Sequence, residues 1–327
     1  MTTETLTALP RKLVSAIHAR HNDDGTIPVT RDVASLTTLI ANVVLVGQPG
    51  GTEPWVLVDA GMPYTADKIE SAANRRFGRP PAAIVLTHGH FDHVGALGTL
   101  ADRWNVPVYV HRLEVPYVTG RSSYPPPDPT VGGGMMARLS PLFPRGPYDV
   151  SRHVRELPGD GSVPHMPGWR WVFTPGHSPG HVALFRDADR TLIAGDAFVT
   201  TRQESAMAAA TQYARVNRPP AYWTLDWSQA RESVERLLAL DPAAAITGHG
   251  LPMEGDKLKR GLERLVRDFE QEMPRKGRYV QKSVYADERG VIFVPPPVSD
   301  PFPKVLGAIT LTAGAALIAA KLVRRDD

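Results

Sequence analysis

The stretch Thr87-His88-Gly89-His90-Phe91-Asp92-His93 places three imidazoles and one carboxylate within six consecutive positions. Neutral imidazole nitrogens and carboxylate oxygens are the donors that hold zinc and related divalent ions, and a catalytic ion keeps one position open for water. In an extended segment alternate side chains face the same way, so His88 and His90 can reach one ion together. The chain then turns, and Asp92 with His93 can point to a neighbouring position, so one loop could serve two ions. With 11 histidines in 327 residues, this spacing is a chance event on the order of one in a thousand.

Three later segments repeat the construction. His177 lies in Thr174-Pro175-Gly176-His177, Asp196 in Ala194-Gly195-Asp196, and His249 in Thr247-Gly248-His249-Gly250. Each follows a short apolar run and sits beside a glycine, which lets the backbone turn sharply and approach a ligand. Asp59 ends a fourth such run, Trp55 to Val58. Layered α/β folds gather ligand sites where strands deliver their loops. The sequence contains no cysteine, so disulfides and thiolate ligands are excluded and histidine and carboxylate must hold any ion.

The elements that must position these residues are legible as apolar runs bounded by turn residues. Strands are expected at 39–46, 55–58, 84–86, 106–110, 169–173, 182–185, 191–194 and 243–246. Helices are expected at 64–77, 94–104, 227–240 and 254–272. Alternation of strands and helices predicts an α/β layered fold. Residues 119–150 are rich in proline and glycine and read as a lid-like, substrate-facing insertion. Residues 201–225 read as irregular.

Composition limits the function classes. The chain is 42% hydrophobic and 22% charged, enough to bury a sizeable core. A net charge of +3 with scattered basic residues gives no nucleic-acid footprint. No continuous apolar stretch opens the chain, so a signal peptide is not expected and the cytoplasm is the default compartment.

The set His88-x-His90-x-Asp92-His93, His177, Asp196 and His249, in this order and approximate spacing, resembles the metallo-β-lactamase superfamily from about Leu39 to Leu251. The resemblance implies a four-layer αββα sandwich with a binuclear centre along one edge. It implies His88, His90 and His177 on one ion, Asp92, His93 and His249 on the second, and Asp196 bridging. Two zinc ions are expected, with iron or manganese as alternatives.

His90 stands where redox di-iron members carry glutamate, which favours hydrolysis. The absence of cysteine points to the glyoxalase II-like and lactonase-like group. The expected activity is cleavage of a small ester, thioester or lactone by a metal-bridging hydroxide, with Asp92 orienting it and passing its proton to the leaving group. Alternatives are a mononuclear-iron persulfide dioxygenase-like enzyme and a phosphodiesterase or nuclease of the same fold. The expected partner is a small-molecule substrate and not nucleic acid. Asp59 and His181 are candidates for supporting ligands from behind, and Tyr213, Tyr222 and Trp223 for shaping the pocket.

The expected domain organisation is a lead-in over 1–30, a catalytic domain over 31–272, a proline-rich linker over 273–304 and an apolar helix over 305–323. That last run is nineteen residues whose only charge is Lys321, and it spans roughly 28 Å as a helix. It reads as a candidate membrane anchor, with docking on the domain and oligomer contact as alternatives.

Overall fold

Val33–Thr38 (β2) and Ala41–Val46 (β3) form a tight antiparallel hairpin, and the turn at Leu39 adopts a φ of 66°. The sequence places a single strand at 39–46. An apolar turn, Leu39-Ile40, hides the break, because hairpin turns usually announce themselves with glycine or asparagine. The computed structural model describes residues 21–299. Those up to Pro295 belong to one compact unit.

Seven strands make the first sheet in the order β1 to β7. Ile27–Pro28 (β1) pairs with β2, and Val56–Val58 (β4) with β3, both antiparallel. Ala83–Val85 (β5), Val108–Val110 (β6) and Val154–Glu156 (β7) then add in parallel. The second sheet runs β12-β11-β10-β9-β8. It comprises Trp169–Phe173 (β8), Val182–Arg186 (β9), Thr191–Gly195 (β10), Ala244–Thr247 (β11) and Met253–Glu254 (β12). β8 and β10 are each antiparallel to β9, and β11 is parallel to β10. The carboxyl ends of β4, β5 and β6, and of β8, β10 and β11, therefore each reach a common edge of their sheet.

Three apolar layers hold the sandwich. Val44, Val58 and Val85 from the first sheet meet Val182, Leu184, Ile193 and Ile246 from the second. On the outer face of the first sheet, Ala66–Phe77 (α1) and Leu97–Trp104 (α2) bury Ile69, Ala73, Leu97 and Leu100 against Leu45, Leu57 and Ile84. The i, i+3, i+4 spacing of Ile69, Ala72 and Ala73 gives α1 its core stripe. Gly78, at φ 66°, ends it by donating its N–H to Asn74 O. On the outer face of the second sheet, Trp227–Ala239 (α3) and Gly255–Arg267 (α4) bury Val234, Leu237, Leu258 and Leu262. The molecule is thus an αββα sandwich.

Ile27–Pro28 extends the first sheet, although residues 1–30 read as a lead-in outside the domain. The 119–150 insertion carries a short helix, Met135–Leu139, and a second one, Ala206–Thr211, lies within 201–225. The chain after Met273 packs back on the domain and does not lead away from it up to Pro295. Tyr279 is buried and its hydroxyl donates to Pro126 O, Arg278 N–H donates to Asp128, and Val291 N–H donates to Ser122 Oγ. A hairpin of Tyr285–Asp287 (β13) and Gly290–Phe293 (β14) completes this strap. Among the described residues no helix is long and apolar enough to cross a membrane. The expected apolar helix at 305–323 lies outside the described residues.

Candidate metal centre

All seven residues singled out by type and spacing converge at the shared edge of the two sheets. His88 and His90 follow β5, and a single-turn helix, Phe91–Val94, lifts Asp92 and His93 beside them. His177 follows β8, Asp196 follows β10 and His249 follows β11. Every one is buried, Asp92 being the most exposed at 6%.

Ligand-capable atoms fall into three overlapping groups within 4.8 Å: His88, His90 and His177; Asp92, His93 and His249; and His88, His93 and Asp196. His90 Nδ1 lies 3.0 Å from His177 Nε2. His249 Nε2 lies 3.3 Å from Asp92 Oδ2 and 3.2 Å from Asp196 Oδ2. The Asp196 carboxylate reaches both sets, with Oδ2 3.4 Å from His177 Nε2 and Oδ1 3.7 Å from His93 Nε2.

Neighbours behind the cluster fix which ring nitrogens face inward. Asp59 Oδ2 takes His93 Nδ1 at 2.8 Å and also accepts from Thr87 Oγ1, whose oxygen lies 3.1 Å from His88 Nδ1. Asp59 Oδ1 accepts from Thr87 N–H at 2.8 Å. One carboxylate thus orients two histidines, His93 directly and His88 through Thr87. Main-chain Ile40 O accepts from His249 Nδ1 at 2.8 Å. His181, completely buried, accepts the Asp196 N–H on Nε2 and meets Thr174 Oγ1 with Nδ1, so it holds the aspartate's backbone and has no nitrogen left for an ion.

The residues fit a cation. His88 Nε2, His90 Nε2, His93 Nε2 and Asp196 Oδ1 are buried with no hydrogen-bond partner. Each orphaned buried polar atom costs about 1–3 kcal/mol. Two of these imidazole nitrogens, on His88 and His93, belong to residues grouped with Asp196, and orphaned nitrogens beside an orphaned carboxylate oxygen are the donors of a divalent ion.

Electrostatics divide the cluster. Burial, then the neighbouring imidazoles, hold His88 and His90 far below the ordinary histidine value, and burial takes His177 to about 4. These three are neutral, the form that donates a lone pair to a metal. Burial opposes charge on His249 and His93, but Asp196 and Asp92 raise His249 to about 10, and Asp59 and Asp196 raise His93 well above its ordinary value. Burial likewise opposes ionisation of Asp196, and His249 with His93 nevertheless hold it well below the carboxylate range. A cation entering the second set would displace those protons.

An aromatic wall closes one side. Tyr124 and Trp223 lie 4.4 and 4.6 Å from the His90 ring, and Phe91, Tyr117, Ala137 and Tyr222 pack with them. Tyr124 and Ala137, with partly buried Phe143 and Tyr148, come from the 119–150 insertion. Trp223 Nε1, Tyr148 Oη and both polar atoms of the Gln203 amide are buried without partners. Tyr213 is 67% exposed and stands apart from the wall.

Sequence reasoning missed Glu114, which is fully buried. Its Oε1 accepts from Ser178 Oγ at 2.8 Å and Gly180 N–H at 2.7 Å, and its Oε2 from Gly89 N–H at 3.0 Å and Tyr124 Oη. Burial raises this carboxyl above its ordinary value against the pull of its four donors. Its only sequence signal is a position just after β6, where lone glutamates are ordinarily solvated.

Comparisons with known proteins agree with this geometry. The model of the Metallo-beta-lactamase superfamily matches residues 36–249. The "Probable metallo-hydrolase YflN" of Bacillus subtilis (strain 168) is 48% identical over 238 residues, covering 72% of this chain and 90% of that protein. A beta-lactamase domain protein from Burkholderia ambifaria superposes with a TM-score of 0.52 at 23% identity, over 77% of this chain and 78% of that one. An archaeal metallo-beta-lactamase superfamily protein from Sulfolobus tokodaii gives 0.51 at 18% identity, over 85% and 94%. These two structures share the fold. On the family match and the YflN identity, this chain belongs to the metallo-β-lactamase superfamily.

Proposed function

We propose that the protein is a metal-dependent hydrolase with two divalent ions that cleaves a small ester, thioester or lactone. The observation that carries this reading is the convergence of seven buried, ligand-capable residues, four of whose buried polar atoms lack a hydrogen-bond partner. His88, His90 and His177 would hold one ion, Asp92, His93 and His249 the other, and Asp196 both. Zinc suits this all-nitrogen-and-oxygen set, and iron and manganese compete for it. The similarity to a relative named as a metallo-hydrolase supports the reaction class.

Ions bound there supply Lewis-acid polarisation of a substrate oxygen and lower the pKa of bound water. The chain supplies the rest. Asp92, the least buried of the seven, orients the attacking water, takes its proton on the carboxylate and passes it to the leaving group. Asp59, Thr87 and the Ile40 carbonyl keep the histidine tautomers fixed. The aromatic wall holds the apolar part of a substrate and excludes water, and Trp223 Nε1 and Tyr148 Oη offer donors to its oxygens. The 119–150 insertion is thereby substrate-facing.

Zinc-loaded protein should contain two ions per chain and turn over members of a thioester and lactone panel, with phosphodiesters and persulfides as the comparison arms. His88→Ala and Asp196→Ala should each lose metal and activity. Full turnover by either variant sinks the reading. A membrane tether at 305–323 is a separate proposal: deleting residues 304–327 should move protein from the membrane to the soluble fraction.

A further inference from the structure

One buried carboxylate joins the two loops that carry the three-histidine half of the centre. Gly89 lies between His88 and His90, Ser178 follows His177 directly and Gly180 lies three positions beyond it. These loops come from different sheets, after β5 and after β8. Glu114, delivered by a third strand end after β6, takes Gly89 N–H on one oxygen and Gly180 N–H on the other. Ser178 Oγ and Tyr124 Oη complete its four acceptor sites. Tyr124, whose hydroxyl donates to it, also packs its ring on His90.

Glycine at both contact points is what permits this approach. A Cβ on Gly180 would sit 2.8 Å from Glu114 Cγ and 2.9 Å from His111 Nδ1, and one on Gly89 would sit 2.9 Å from Tyr124 Oη. Asp59, by contrast, acts within the His88–His93 segment, on His93 directly and on His88 through Thr87, and Ile40 O holds His249, so neither reaches the His177 loop.

We infer that Glu114 is a positioning residue that sets the separation of the His88–His90 loop from the His177 loop, and so tunes the affinity of the three-histidine half alone. This rests on the metal-dependent reading above. Glu114→Gln keeps the shape but breaks the clamp: since each oxygen accepts from a main-chain N–H, either orientation of the amide turns an NH2 group against an N–H donor.

The test is zinc competition against a chromophoric chelator, which resolves two affinities, with cobalt substitution to report the ligand field. In E114Q one of the two ions should bind about 10- to 100-fold more weakly, with its cobalt spectrum shifted, while the other keeps its wild-type affinity. Ser178→Ala, which removes a single donor, should weaken the same ion about fivefold and covers the case in which E114Q does not fold. Equal weakening of both ions, or a lowered melting temperature with both affinities intact, overturns the inference. Wild-type protein that takes up no zinc overturns the hydrolase reading and this one together; wild type with two ions and variants that hold both as tightly overturn this one alone.

Discussion

The two sheets furnish the centre in different ways. The seven-stranded sheet delivers four candidate ligand residues in one loop, His88 to His93, and two buried carboxylates, Asp59 and Glu114, that brace it. The five-stranded sheet delivers His177, Asp196 and His249 singly, from three strand ends. A contiguous loop carries its own geometry. Isolated ligands depend on the register between sheets, so the fold has to hold that register with bonds that cross the sandwich. Asn42 on β3 is one such bond, donating from Nδ2 to Thr247 O at 2.9 Å and to Gly250 O at 2.6 Å, on either side of His249. Arg186 on β9 is another, reaching Asp32 beside β2 at 2.6 Å.

That contrast can be attacked at several strengths. Removing a ligand from the five-stranded sheet should have the largest effect. His177→Ala and His249→Ala should each fall from two ions per chain to one by metal analysis, and kcat/KM should drop at least about 100-fold. Two ions retained in either variant would break the division into two sets. Asp59→Asn comes next. Asparagine tolerates the φ of 60° at this position but cannot serve Thr87 and His93 as a carboxylate does. We expect metal affinity about 10- to 100-fold weaker by chelator competition, with the melting temperature little changed.

Asn42→Ala tests the crossing bond. It strips two buried carbonyls of their donor and should cost about 1–3 kcal/mol in denaturant unfolding, with the His249-bearing half losing affinity first. An unchanged midpoint would mean that the register is held elsewhere. The smallest effect belongs to Arg186→Met. Burial opposes ionisation of Asp32, yet Arg186 and Thr30 hold its carboxyl below the ordinary value. A depressed folded pKa adds stability that is fully present above the ordinary carboxylate pKa of about 3.9 and is lost as pH falls through the folded value. The variant should therefore be about 1 kcal/mol less stable at neutral pH, and the gap should close as pH falls through the depressed folded value of Asp32. A gap that persists in acid would assign the role of Arg186 to packing on Trp169 instead.

The same contrast explains what could be read from the sequence. His88 to His93 is local, so residue type and spacing sufficed. His177, Asp196 and His249 were legible because each follows a short apolar strand beside glycine. Glu114 was not, since three of its four donors lie 25, 64 and 66 positions away and a lone glutamate after a strand looks solvated. Asn42 was hidden for the same reason, at 205 positions from Thr247. The hairpin turn at Leu39 escaped because it carries no turn residue. β7 escaped because Val154-Arg155-Glu156 has neither apolar length nor alternation.

The strap after Met273 has a consequence for biosynthesis. Asp128 and Ser122 in the insertion are bonded to residues 150 and 169 positions later in the chain. A ribosome will have released every metal-ligand candidate, ending with His249, before it releases Arg278 or Val291. The nascent protein therefore owns a complete set of candidate metal donors while the wall beside His90 still lacks its anchor, and that wall is fixed only when the later-emerging strap arrives.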